Sequence, residues 1–214
     1  MTGLGWAFAA AFAVAALVDW WATHLGRTPV RWVSKPAALA ALVGVAATAH
    51  PEIGMGARAW LVAGLVLSLA GDVFLLLPER WFVAGLGSFL LGHIAYVVAL
   101  QAEHDSWGWL VVGLAVVVVA VAVVGRRIVV GVRAGDHPEL FGPVIAYLVV
   151  ISAMVVSAFG TAAPWAVLGA SLFYASDATL AWNRFLEPRR WGPLAVMVTY
   201  HLGQAGLVAW SVLG

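Results

Sequence analysis

Cysteine is absent from the 214 residues, which excludes disulfides, thiolate metal sites and thiol nucleophiles at once. Charge is scarce as well. Asp, Glu, Lys and Arg make up 10% of the chain, where a soluble domain carries about a quarter. The net charge of +1 supplies no basic field for a nucleic-acid partner. What is plentiful is apolar: 64% of residues are hydrophobic and the mean hydropathy is +0.99. These residues come in blocks of roughly 20, the length that crosses a bilayer core as a helix. Water is therefore not the solvent for most of this surface. The first block, Met1 to Trp21, has no Lys or Arg before it and runs into Arg27–Lys35 without an evident cleavage site. It reads as a membrane span, not as a removed signal peptide.

Charges, prolines and tryptophans divide the chain into eight apolar segments: 3–23, 36–50, 57–77, 82–101, 107–125, 140–160, 163–183 and 191–213. The predicted fold class is all-α, an integral membrane bundle of about eight transmembrane helices forming one domain over 1–214. Most tryptophans fall near segment ends, where amphipathic rings settle at the headgroup level. Ten of the eleven basic residues fall in the connections after odd-numbered segments, and Arg58 alone falls after an even one. The positive-inside rule then predicts both termini outside and the basic connections in the cytoplasm, with the chain in the cell (inner or plasma) membrane. A weak internal similarity accompanies this layout. Asp72 precedes Tyr96 by 24 positions, and Asp177 precedes Tyr200 by 23. A parallel four-plus-four repeat would produce that pattern, and so would coincidence.

Ionisable residues inside lipid are costly, about 2.5–3.5 kcal/mol for an Asp at a helix centre, so each needs a reason. Asp72 lies six residues before Pro78 and Asp177 seven before Arg184. Both are thus about 9–10 Å inside their cytoplasmic helix ends. Equal depth on separate helices is what a shared site requires. Several polar side chains reach the same half of the membrane: His93 and Tyr96 one turn apart, Tyr147, Tyr174 one turn from Asp177, and Tyr200 with Gln204 on one face. Lys35, read with Pro36 as a helix start, is expected to lean in from the cytoplasmic rim. Bland roles compete with functional ones. Asp19, between valine and tryptophans, fits an interfacial residue. His93 fits a packing residue bonded to Asp72, and Tyr147, Tyr174 and Gln204 fit interhelical glue. His201 points about 100° away from Tyr200, and His24, His50, His104 and His137 sit at segment ends and read as solvated. The paired carboxyls are the functional signal, because Asn would pack as well at lower cost.

Six blocks then carry a resemblance: SKP at 34–36, LAGDVFLLLP at 69–78, GLGSFLLGHIAYV at 85–97, PVIAY at 143–147, YASDATLA at 174–181 and YHLGQ at 200–204. In order and spacing the chain resembles the YhhN-like lysoplasmalogenase family of polytopic membrane proteins. The first and fifth segments carry no matching motif. The resemblance implies a hydrolase that cleaves the vinyl ether bond of a lysoplasmalogen or related lysolipid, releasing a fatty aldehyde and a glycerophospho-headgroup compound. It maps catalytic roles onto Asp72 and Asp177, and supporting roles onto Lys35, His93, Tyr96, Tyr147, Tyr200 and Gln204. A lysophospholipid in the membrane is the implied partner, with no metal, other cofactor or obligatory protein partner.

Vinyl ethers resist base and yield to acid, through proton transfer to the carbon beta to oxygen and an oxocarbenium ion. Two carboxyls meet that need much as they do in glycosidases, one as acid and one as anion. Asp72 and Asp177 are expected to share a proton as a coupled pair, with Lys35 meeting the lipid phosphate and the pocket opening toward the cytoplasmic leaflet. The rivals are a proton-coupled transporter of a small or lipid-like solute, whose relays also use intramembrane Asp and His, a metal-dependent hydrolase using Asp72, His93, Asp177 and His201, and a structural or lipid-scaffolding bundle.

Overall fold

Eight long helices account for nearly all of residues 1–214, every one of which the computed structural model describes, and no strand occurs. They are α1 (Gly3–His24), α2 (Thr28–Thr48), α3 (Met55–Leu76), α4 (Phe82–Ala102), α5 (Trp107–Ala134), α6 (Phe141–Gly160), α7 (Pro164–Phe185) and α8 (Gly192–Leu213). Seven are long and apolar enough to cross a membrane; α7 is equally long at 22 residues but more polar. Its Ser176, Asp177 and Arg184 turn toward an internal cavity, so its length and not its hydropathy matches it to the others. The chain is a multi-pass helical membrane protein.

Successive helices alternate in direction. Thr2 Oγ1 donates to the Thr48 carbonyl (3.1 Å), Glu52 N to the Ser211 carbonyl (2.9 Å), and Asp105 N to the Gly160 carbonyl (2.9 Å). These bonds collect both chain termini and three of the connections at one end. The other four connections lie at the opposite end, and ten of the eleven basic residues stand in them or in the helical segments that adjoin them. At the first end Arg58 is alone and donates to the Ala46 carbonyl at 2.8 Å. That half of the bundle is filled by Leu61, Leu65, Leu100, Met154 and Leu207, all fully buried.

Three helical hairpins, α1–α2, α3–α4 and α7–α8, pack most closely, and α6 bridges α4 and α5. In the α7–α8 hairpin the backbones themselves touch. A Cβ built on Gly169 would fall 2.6 Å from the Leu207 nitrogen, so only glycine permits this approach.

Two predicted boundaries are wrong for one physical reason. The second segment begins at Thr28 and not at Pro36, and Pro36 sits inside α2. The missing N–H of Pro36 costs α2 one internal bond, which membrane helices tolerate where neighbours cover the backbone. The fifth segment does not stop at Gly125. It continues through a π-helical turn at Val121–Gly125 into Arg126–Ala134, where Ile128 and Val132 are buried one turn apart while Arg126 and Arg127 face outward. Charge marked the edge of the lipid, but an amphipathic helix crosses that edge without ending.

Candidate active site

In the basic half the hairpins splay and leave a gap. It holds about 1000 Å³ of unfilled space, counting its open mouth, and is walled mainly by apolar side chains such as Leu86, Phe89, Ile128 and Ile151. The π-helical turn contributes Val124 and Gly125 to the wall. Turns of this kind recur at functional sites.

Asp72 of α3 and Asp177 of α7, 105 positions apart in sequence, both face this gap. Asp72 is fully buried; its Oδ2 accepts from the Tyr200 hydroxyl at 2.8 Å, and its Oδ1 lies 3.0 Å from Lys35 Nζ. Asp177 is slightly open, with its side chain 15% exposed, and its Oδ2 accepts from the Tyr147 hydroxyl at 2.5 Å. The two carboxyls thus have separate tyrosine donors and do not hydrogen-bond each other. Phe173 packs edge-on against Tyr200 and, tilted, against His93, with ring centres 5.2 and 4.6 Å away, which fixes both rings.

His93 approaches Asp177 from α4, with Nε2 at 3.8 Å from Oδ2. It does not bond Asp72, as one reading of the sequence had it. Its Nδ1 lies 2.7 Å from the Phe89 carbonyl, and a carbonyl can only accept. Nδ1 therefore carries a proton, and in the neutral ring Nε2 is a bare acceptor without a hydrogen-bond partner.

Of the nine predicted site residues, six line the gap: Lys35, Asp72, Tyr147, Tyr174, Asp177 and Tyr200. His93, Tyr96 and Gln204 stand behind that wall. The Tyr96 hydroxyl donates to Gln204 Oε1 at 2.6 Å and lies 3.4 Å from Ser68 Oγ, a buried polar chain between α3, α4 and α8. Tyr174 presents a hydroxyl with no partner.

Lys35 is not at the rim. Because α2 starts at Thr28, Lys35 lies two turns inside it, 4% exposed, and its ammonium is spent on Asp72. Asp19 is likewise not interfacial: it is fully buried, accepts from Ser34 Oγ at 3.0 Å and faces Arg31 Nε at 3.6 Å. Ser34 and Arg31 on the extended α2 made that burial affordable, and neither lay on the second segment as predicted. His201 accepts from Trp20 Nε1 at 2.9 Å and faces α1, so the four-residue metal set with Asp72, His93 and Asp177 does not assemble. His104 is half-buried against Trp107 and not solvated, with ring centres 4.5 Å apart. Arg184, missed in the sequence because it served only to mark a membrane edge, lines the gap. Its position seven residues after Asp177 was the available signal, since two turns return to one helix face.

The family model of the YhhN family matches residues 30–211. A protein of Mycobacterium bovis named lysoplasmalogenase is 39% identical over 158 residues, 70% of this chain and 58% of its own length. The pig (Sus scrofa) protein named Lysoplasmalogenase TMEM86B is 33% identical over 165 residues, 75% of this chain and 66% of its own. An Escherichia coli protein named uncharacterized membrane protein YhhN is 36% identical over 90 residues, 41% of this chain and 42% of its own. The chain thus spans less than two thirds of the length of these curated relatives. No solved structure matches.

Proposed function

The chain belongs to the YhhN family of membrane proteins, and from that premise we propose that it hydrolyses the vinyl ether bond of a lysoplasmalogen or closely related lysolipid. The observation that carries this reading is the pair of carboxyls from distant helices facing one apolar gap. The relatives named lysoplasmalogenase support it.

The charges around the gap divide the roles. The buried ammonium of Lys35 compensates one anion, and it stands beside Asp72. Asp72 is the carboxylate. Asp177 has no cation in contact unless His93 is protonated, and an uncompensated anion in an apolar wall is expensive. Asp177 is the acid, with Tyr147 donating to one oxygen and the proton carried on the other.

The reaction then follows with its atoms balanced. Asp177 gives its proton to the vinyl carbon beta to the ether oxygen, and the adjacent carbon becomes an oxocarbenium ion. The Asp72 carboxylate stabilises that cation in the low dielectric of the gap. Water adds to the cationic carbon and loses a proton toward the carboxylates, and the proton returns to Asp177, with the bare Nε2 of His93, 3.8 Å from Asp177 Oδ2, as its relay. The hemiacetal passes its hydroxyl proton to the departing glycerol oxygen, leaving aldehyde and alcohol. Tyr200 and Tyr147 hold the carboxyls in place, and Phe173 packs against the Tyr200 ring. The alkenyl chain lies along the apolar wall.

The same reading makes residues 1–214 one catalytic bundle in the cell membrane, with both termini outside and the mouth toward the cytoplasmic leaflet, as the distribution of basic residues argues. Duplication of a four-helix unit also gains support. Asp72 takes contacts from α2 (Lys35) and α8 (Tyr200), Asp177 from α6 (Tyr147) and α4 (His93), equivalent helices in two halves. A carrier fits less well, because the end opposite the mouth is packed with apolar side chains. The test is to incubate purified protein with 1-alkenyl and 1-acyl lysolipids and trap aldehyde. Aldehyde from the alkenyl lipids alone is expected; release of fatty acid from acyl lipids, or transport without cleavage in vesicles, would defeat the proposal.

A further inference from the structure

The wall of the gap contains two cations, Lys35 and Arg184. Lys35 is committed to Asp72, so the anionic headgroup of a lysolipid needs another partner. We propose that Arg184 is the anchor for the substrate's phosphodiester, held in the open site by Glu79, which the incoming phosphate displaces. This rests on the hydrolase reading and extends it to headgroup recognition.

Four observations converge on Arg184. It belongs to the wall of the buried gap and also to that of an outer vestibule lined by Phe74, Leu77, Glu79 and Asn183, so its side chain stands where one opens into the other. Its guanidinium lies 3.8 Å from the centre of the Phe82 ring, which fixes the plane of the fork. Its Nε is buried and has no hydrogen-bond partner, so one donor of the guanidinium is unused in the open site. Its present partner, Glu79, is a poor permanent one. That side chain is 72% exposed against 25% for Arg184, and an exposed carboxylate in such a pair contributes little stability. A phosphodiester offers two oxygens to the fork in the geometry that guanidinium groups favour over ammonium.

The spacing along α7 suits the same lipid. Arg184 follows Asp177 by seven residues, so the two lie on one side of the helix about 10 Å apart along its axis. In a 1-alkenyl lysophospholipid about five bonds separate the ether oxygen from phosphorus, and the carbon to be protonated lies about two bonds further. The extended span is roughly 8 Å. A phosphate on Arg184 therefore brings the vinyl ether to Asp177 with little slack.

The test compares wild type, Arg184→Gln, Arg184→Lys and Glu79→Gln on two substrates, a 1-alkenyl lysophosphoethanolamine and 1-alkenylglycerol, which keeps the vinyl ether and lacks phosphate. Binding of the uncleavable 1-alkyl analogues and of inorganic phosphate is followed in parallel by tryptophan fluorescence. Arg184→Gln is expected to raise KM and Kd for the phospholipid by about ten- to hundredfold, the loss of charge-assisted hydrogen bonds, and to leave 1-alkenylglycerol unchanged. Arg184→Lys recovers part of the affinity, and Glu79→Gln tightens it. Equal losses on both lipids, no loss on either, or an unaltered affinity in Glu79→Gln would overturn the assignment. So would inorganic phosphate binding as tightly as the lysolipid, which would mark a free-anion site. If no lipid is cleaved but the binding contrast holds, the hydrolase reading falls and the anchor stands. If cleavage proceeds with Arg184 indifferent, only the anchor falls.

Discussion

Replacing Lys35 with methionine shortens the side chain by one atom and deletes its charge. Asp72 would then be left fully buried, with Tyr200 as its remaining donor. At the 3.0 Å separation of Lys35 and Asp72, the direct attraction is roughly 5 kcal/mol for an effective dielectric of about 20. Measured costs of removing one member of a buried pair are of the same order, about 3–5 kcal/mol. Lys35→Met should therefore lower stability by about 3–5 kcal/mol in chemical unfolding of the purified protein. The double variant Lys35→Met/Asp72→Asn should recover most of it, because no stranded charge remains. Kinetically, the single variant should lose kcat with KM little changed, since Asp72 would take up a proton and cease to stabilise the oxocarbenium ion. The sequence alone suggests a different role, a rim lysine meeting the lipid phosphate. Wild-type stability in the single variant, additive losses in the double, or a change confined to KM would each refute the buried-pair account.

Other outcomes can be checked with the same preparations. Asp177→Asn and Asp72→Asn should each abolish aldehyde release while the protein still elutes as a folded species; full activity in either defeats the acid–anion assignment. His93→Asn can still donate to the Phe89 carbonyl, its amide nitrogen falling near the place of Nδ1, but lacks the basic Nε2. It should lower kcat by about 10²- to 10⁴-fold, the range for a lost general acid–base group, with KM held, and an unaltered kcat would leave His93 a packing residue. Gly169→Ala would press a methyl group into the α8 backbone at 2.6 Å. A stability loss of about 1–3 kcal/mol is expected from such overpacking, read as a lower unfolding midpoint, and an unchanged midpoint would mean the helices separate freely.

The architecture was legible because lipid constrains it so strongly. Each span had to satisfy its own backbone, so block length gave the helices, and the ten-to-one division of basic residues matched the two ends of the bundle. Boundaries failed at Thr28 and Ala134, where polar residues tolerated by amphipathic helices looked like loops. Six of the nine predicted site residues line the gap, since depth along a helix can be counted from its end.

Composition and block spacing by themselves determined the solvent, the helix count and the depth at which Asp72 and Asp177 lie, because each depends on rise per residue and on transfer energy alone. Which partner each carboxyl received was decided only by how the helices rotate and cross. Lys35 to Asp72, Tyr147 to Asp177, and Arg184 to the mouth are contacts between segments whose facing directions no single helix contains.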